Sequence, residues 1–167
     1  MGYFVIIRGP LGIGKSTLSK KLTKILKGNY ISMDKIVDKN RIIKKRDKNG
    51  LIDVRNFIHA NTVLLPVALK FLKEDKPVTT DGCFYHKEQI VDLINRLKPY
   101  DVYIFDLKAP VDICIERDKH RKISLGEDAT RAVYNAVSRI DCDIKIDTLG
   151  KTPDQTIKEI LKHLPRQ

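Results

Sequence analysis

The sequence predicts an α/β protein of three layers, a five-stranded parallel sheet between two sets of helices. Two observations carry that reading. Short apolar runs alternate with amphipathic helical stretches along the whole chain, the pattern of βαβ units. The first apolar run leads through a glycine-rich loop straight into the first helix.

The elements follow in order. "YFVII" (3–7) is a continuous apolar run of strand type. Residues 15–27 place Leu18, Leu22, Ile25 and Leu26 at helical spacing, and Gly28 and Asn29 stop that helix. "YISMD" (30–34) is a short strand. A basic helical stretch over 35–46 ends at the turn signal "DKNG". Asp53 is an N-cap candidate for a helix reaching about Lys73, which Pro66 is expected to kink or break.

"PVTTDG" (77–82) runs as a strand into a glycine, and 87–98 carry Ile90, Val91, Ile94 and Leu97 on one helical face. "DVYIFDL" (101–107) is a strand, and 111–121 are helical. "KISLGED" interrupts, and 128–139 form a helix with an alanine/valine stripe. "DIKIDT" (143–148) is the last strand, followed by a closing helix with a Thr/Asp start in "TPDQTIKEILKHL".

Length and composition bound the function. The chain of 167 residues suits one well-buried domain, and we read 1–167 as one, with insertions at about 35–76 and 118–130. No apolar run approaches the ~20 residues of a membrane span, and the N-terminus has no basic region or cleavage site of a signal peptide. Cys83, Cys114 and Cys142 are odd in number with no CxxC pair, so neither a disulfide framework nor a zinc site is expected. A reducing, cytoplasmic setting is the default. The formal net charge of +11 attracts anions. Its lysines are spread over many segments, which favours phosphorylated substrates over nucleic acid.

"GPLGIGKS" (Gly9 to Ser16) matches G-x-x-x-x-G-K-[ST]. A loop with few Cβ atoms turns its backbone N–H groups inward around a polyphosphate. The following helix adds its free N-terminal N–H groups and positive dipole end. Gly9, Gly12, Ile13, Gly14, Lys15, Ser16 and Thr17 are therefore the nucleotide-binding candidates. Lys15 is positioned for the β- and γ-phosphates and Ser16 for Mg²⁺. The strand before the loop and the helix after it supply the context the motif requires.

This loop, the chain length and the strand–helix order resemble the small P-loop kinases. That group includes adenylate, shikimate, gluconate and adenylylsulfate kinases, chloramphenicol phosphotransferase, zeta toxins and polynucleotide kinase. The resemblance implies the P-loop NTPase fold with strand order 2-3-1-4-5, ATP and Mg²⁺ as cofactors, an unidentified acceptor as partner, a mobile lid at about 118–130 and an acceptor-binding insertion at about 35–76.

Asp34, at the end of the second predicted strand, faces the ligand crevice of such a sheet and can take the proton of an attacking hydroxyl. The alternative is a cap on a helix starting at Lys35. Asp81 ends the third strand in "VTTDG" and resembles the aspartate that holds Mg²⁺ or orients substrate; a turn Asp-Gly pair is the alternative. Phe84, Tyr85 and His86 follow at the same rim, as acceptor contacts or as core.

"CIERDKHR" places Arg117 and Arg121 on one helical face. The resemblance puts Arg117 on the nucleotide side and makes Arg121 a catalytic candidate at the transferring phosphate. Ordinary cations at a helix C-terminus are the alternative. Arg131 is a weaker candidate. Arg41 and Asn61 in the insertion are acceptor-binding candidates, together with Asp34 and Asp81.

The expected function is an ATP-dependent kinase that phosphorylates a hydroxyl of a small molecule or nucleoside, because a hydroxyl nucleophile needs a base and Asp34 supplies one. The alternatives are a nucleoside monophosphate kinase and a 5′-hydroxyl nucleic-acid kinase. A monomer or homodimer is expected. A GTP-dependent switch is disfavoured by the absence of an N-K-x-D pattern.

Overall fold

The computed structural model describes residues 1–40, 42 and 45–165. Five parallel strands, β1 (Phe4–Arg8), β2 (Asn29–Ser32), β3 (Val78–Gly82), β4 (Val102–Lys108) and β5 (Ile144–Asp147), pair in the order β2-β3-β1-β4-β5. The helices are α1 (Lys15–Ile25), α2 (Met33–Lys39), α3 (Val54–Lys73), α4 (Lys87–Leu97), α5 (Val111–Lys119), α6 (Glu127–Ser138) and α7 (Pro153–Leu161). This is the three-layer α/β P-loop NTPase fold, with the expected strand order.

The alternation of side chains along β1 divides the core. Tyr3, Val5 and Ile7 face a cluster with Leu18 and Leu22 of α1 and Ile157 and Ile160 of α7. Phe4 and Ile6 face the opposite cluster, with Leu64, Ala68 and Leu72 of α3 and Leu93 and Leu97 of α4. Burying one such aliphatic side chain contributes roughly 1.5–3 kcal/mol. On the β1 face that carries Phe4 and Ile6 the strand ends in Arg8, fully buried. Its Nη1 pairs with Asp106 at 2.8 Å and its Nη2 donates to Val137 O at 2.9 Å. This buried pair ties the ends of β1 and β4 to the last turn of α6.

Parallel register brings the strand C-termini to one edge. Ser32 of β2 and Ile7 of β1 both stand opposite Asp81 of β3. Residues distant in sequence therefore meet beside the glycine loop.

Three local expectations are corrected. The second strand ends at Ser32, not at residue 34, because Ser32 caps α2 by accepting from Lys35 N, which moves Asp34 into the first turn of that helix. The predicted helix over 35–46 stops with α2 at Lys39. Asn40 Nδ2 donates to Ile36 O at its end, and Asp47 then organises a turn by accepting from Asn49 N and Leu51 N. The helix from Val54 to Lys73 runs unbroken through Pro66. Pro66 is on the exposed face, and the buried stripe of α3 holds the helix against α4. Asp53 is the α3 N-cap as expected, accepting from Arg55 N at 2.9 Å.

Candidate active site

The glycine loop wraps the N-terminus of α1. Gly14 takes a left-handed conformation at the N-cap and offers no side-chain cap, so the first N–H groups of α1 have no intrahelical partner. Gly12 has φ of 75°, and a Cβ there would stand 2.2 Å from Cys114 O of α5. The loop is thus clamped between its own helix and α5, with Ile13 buried beneath it. Thr17 is exposed in the first turn of α1. Lys15 curls back over the loop and donates to Pro10 O at 2.7 Å.

Beside the loop, Ser16 Oγ donates to Asp81 Oδ2 at 2.5 Å, and the Tyr30 hydroxyl donates to Asp81 Oδ1 at 2.7 Å. Asp81 is almost fully buried. Burial, reinforced by the hydrogen bond to Asp81, pushes the Tyr30 phenol up to about 12, so it remains a donor across the working pH range. The oxygen set of Ser16 and Asp81 at a helix N-terminus suits a hard cation. Mg²⁺ takes one or two carboxylates and completes its shell with phosphates and water. It therefore needs no cluster of three acidic, His or Cys ligands, and among the described residues there is none.

Across the loop from this pair lies a cavity of about 420 Å³. Asp34 stands in its wall, open to solvent through the mouth yet surrounded by protein. That burial raises its carboxyl above the usual range. Lys15 opposes the rise, Asp81 and Asp38 add to it, and Arg121 again opposes it. The cavity floor is Gly82, Cys83 and Phe84, and its far walls come from α3, the turn at 46–52, and Ala129, Ala132 and Val133 of α6. Tyr85 and His86 fix that turn: Tyr85 OH accepts from Ile52 N at 3.1 Å, and His86 Nε2 is 2.8 Å from Ile52 O. Phe57 packs edge-on to Tyr85.

A family model described as an AAA domain matches residues 4–140, most of the chain. The protein belongs to this AAA-domain family. Its fold is shared with a gluconokinase from Sinorhizobium meliloti 1021 (13% identity, TM-score 0.71, 96% of this chain and 90% of that one). A tunicamycin resistance protein from Deinococcus radiodurans is similar as well (17%, 0.72, 100% and 98%). So is a shikimate kinase from Aquifex aeolicus vf5 (21%, 0.64, 95% and 94%). Together these matches show that the protein shares the fold of these proteins along nearly its whole length.

In this AAA-domain protein the two arginines of α5 and its exit part company. Arg117 Nη1 donates to Thr148 Oγ1 at 3.3 Å, which directs it to the loop after β5. Arg121 turns the other way, into the wall of the cavity that holds Asp34. Asp118, unmarked by any sequence motif, governs the segment between α5 and α6. It accepts from Ser124 Oγ at 2.8 Å, Leu125 N at 3.0 Å and Arg121 Nη1 at 3.1 Å. Burial raises its carboxyl, but these three donors outweigh burial and hold it below the usual range. Arg131 pairs with Glu127 and Asp112 on the surface.

Of the acceptor-binding candidates, Asn61 lies away from the cavity. Asn61 is fully buried between α3 and α4, where its Nδ2 donates to Gln89 O at 2.9 Å and Asp92 Oδ2 at 3.0 Å. It joins two helices and is not among the residues lining the cavity. Arg41 lies outside the described residues. Sequence reasoning also passed over Tyr30. Tyr30 is signalled only by its place two residues before Ser32, on the strand that pairs with β3.

Among the described residues, no helix is long and apolar enough to cross a membrane.

Proposed function

We propose that this protein is an ATP-dependent phosphotransferase that moves the γ-phosphate of ATP to a hydroxyl of a small molecule or nucleoside. The observation that carries the reading is Asp34, a carboxylate in the wall of a largely apolar cavity within electrostatic reach of Lys15 and Asp81. In this reading the acceptor hydroxyl lies against Asp34, which takes its proton as the oxygen attacks phosphorus. Lys15 leaves Pro10 O for the β- and γ-phosphates. Arg121 offsets charge on the transferring group from the cavity side. Arg117 serves the nucleotide from the loop after β5. Mg²⁺, held through Ser16 and Asp81, would neutralise charge on the β- and γ-phosphates.

The insertion at about 35–76 then serves the acceptor and the segment at about 118–130 is the lid. ATP as donor implies a cytoplasmic setting. Transfer to a phosphate acceptor would call on arginines of the cavity wall. Among the described residues those are Arg46, which donates to Gly50 O at 2.6 Å, and Arg121, which pairs with Asp118.

The test is transfer of the γ-phosphate from radiolabelled ATP to polyols, sugar acids, nucleosides, nucleoside monophosphates and 5′-hydroxyl RNA. Labelled product from an alcohol supports the reading. Label confined to nucleoside monophosphates overturns it in favour of a nucleotide kinase.

A further inference from the structure

The Asp118 carboxylate serves the cavity from behind its wall. The residue is 1% exposed, and its two oxygens take different partners. Oδ1 accepts from Arg121 Nη1 at 3.1 Å, and Oδ2 accepts from Ser124 Oγ at 2.8 Å and Leu125 N at 3.0 Å. The Asp118 carbonyl also accepts from Arg121 N at 3.0 Å. Arg121 and Leu125 both line the cavity that holds Asp34. One buried carboxylate thus governs two residues of that wall.

Helix stability does not explain an acid at this position. Asp118 lies in the last turn of α5, where the negative end of the helix dipole opposes a carboxylate. The side-chain partners that offset this all lie past the end of the helix. The main chain of Asp118 is fixed as well. A Cβ on Gly12 would stand 3.0 Å from Asp118 N, so Asp118 rests against the glycine loop. The position of the loop is therefore passed through Asp118 to Arg121.

Arg121 needs such a hold. Its side chain is 48% exposed, and an untied arginine there samples many rotamers. Among the described residues its Nε and Nη2 make no hydrogen bond. The tie through Nη1 fixes the side chain and leaves the rest of the fork for an anion.

We propose that Asp118 is a positioning residue whose two oxygens have separate tasks: Oδ1 aims Arg121 along the cavity wall at the group being transferred, and Oδ2 holds Leu125 in the same wall. That Arg121 meets a phosphoryl group rests on the phosphotransferase reading; that Asp118 holds it rests on the hydrogen bonds alone. Asp118→Asn separates the two tasks. The asparagine carbonyl oxygen can still accept from Ser124 and Leu125, but its Nδ2 meets Arg121 donor to donor. Arg121 is released while the segment after α5 stays tied.

The experiment compares the full-length parent, Asp118→Asn, Arg121→Met and the double variant in transfer from ATP to an alcohol. NMR of the arginine side chains in the parent and in Asp118→Asn runs beside it. In the parent the ion pair should slow rotation of the Arg121 guanidinium, giving separate signals for its two terminal nitrogens. In Asp118→Asn those signals should merge. Asp118→Asn is expected to lower kcat by between ~10-fold and ~10²-fold, with KM for ATP unchanged. Arg121→Met is expected to lower kcat by ~10²-fold. The double variant should be no slower than Arg121→Met, because Asp118 acts on the rate through Arg121.

A freely rotating Arg121 guanidinium in the parent overturns the inference without any variant. So does an unchanged kcat in Asp118→Asn. Losses that multiply in the double variant also overturn it, since Asp118 would then act on the fold independently of Arg121. If no alcohol is phosphorylated by the parent, the phosphotransferase reading fails and NMR decides the inference: slowed rotation that Asp118→Asn abolishes upholds Asp118 as the residue that positions Arg121.

Discussion

The Tyr30 hydroxyl donates to Asp81 Oδ1 at 2.7 Å, while Ser16 occupies the other oxygen of the same carboxylate. Tyr30 thus fixes the carboxylate that the P-loop serine shares. Groups that orient a metal-binding carboxylate typically influence affinity by 10–100-fold. Tyr30→Phe is expected to raise the Mg²⁺ concentration needed for half-maximal ATP turnover by about 10-fold. A Mg²⁺ titration at fixed ATP measures it, and an unchanged midpoint would leave Tyr30 with a packing role only.

Asp34 carries a pH signature. Its carboxyl is raised chiefly by burial, so the acid limb of kcat/KM for acceptor transfer should lie above the ordinary carboxylate value of about 3.9. Activity then falls as pH drops through that raised value. The sign for stability is opposite. A folded-state pKa above the unfolded one contributes stability that is complete below the unfolded pKa and lost as pH rises through the folded one. Asp34→Asn should therefore melt higher than the parent near pH 7 and match it near about pH 3. Thermal denaturation at the two pH values checks this; a lower melting point at neutral pH would contradict it.

The glycines of the loop are not equivalent. A Cβ on Gly12 would meet the Cys114 carbonyl at 2.2 Å, whereas one on Gly14 meets nothing within 4 Å. Gly14→Ala carries only the left-handed backbone penalty, about 1–2 kcal/mol. Gly12→Ala must also push α5 away from the loop. We expect it to lose more stability than Gly14→Ala and at least about 10-fold in ATP affinity. Chemical denaturation and equilibrium ATP binding of the two variants give the comparison.

Arg8 and Asp106 form a fully buried ion pair. Removing one partner of such a pair strands a charge and typically costs about 3–5 kcal/mol. Arg8→Met leaves Asp106 its pair with Lys108 at 2.7 Å, so its loss by urea unfolding should lie at or below the lower end of that range. Arg8→Met with Asp106→Leu should recover much of the loss, although Lys108, 2.7 Å from Asp106, then loses its own partner.

The fold was legible in the sequence because its signals are local. The apolar run at 3–7, the glycine loop and the amphipathic periods each sit within one stretch of chain. Asp81 was legible for the same reason, at the end of an apolar strand before a glycine. What escaped depends on partners far along the chain. Tyr30 meets Asp81 only through the β2–β3 register. Asn61 read as a polar face for a ligand, but its partner Asp92 is 31 positions away on another helix. Pro66 misled because the proline rule is local, whereas α3 is held together by its packing against α4.

The central claim is that Asp34 activates an acceptor hydroxyl for attack on the γ-phosphate. It is tested most directly by the initial rate of phosphoryl transfer to an alcohol acceptor at saturating ATP and Mg²⁺, for the parent and for Asp34→Asn. The account predicts a fall of ~10²-fold or more in transfer with ATP affinity retained. Equal transfer rates in the two proteins would contradict it.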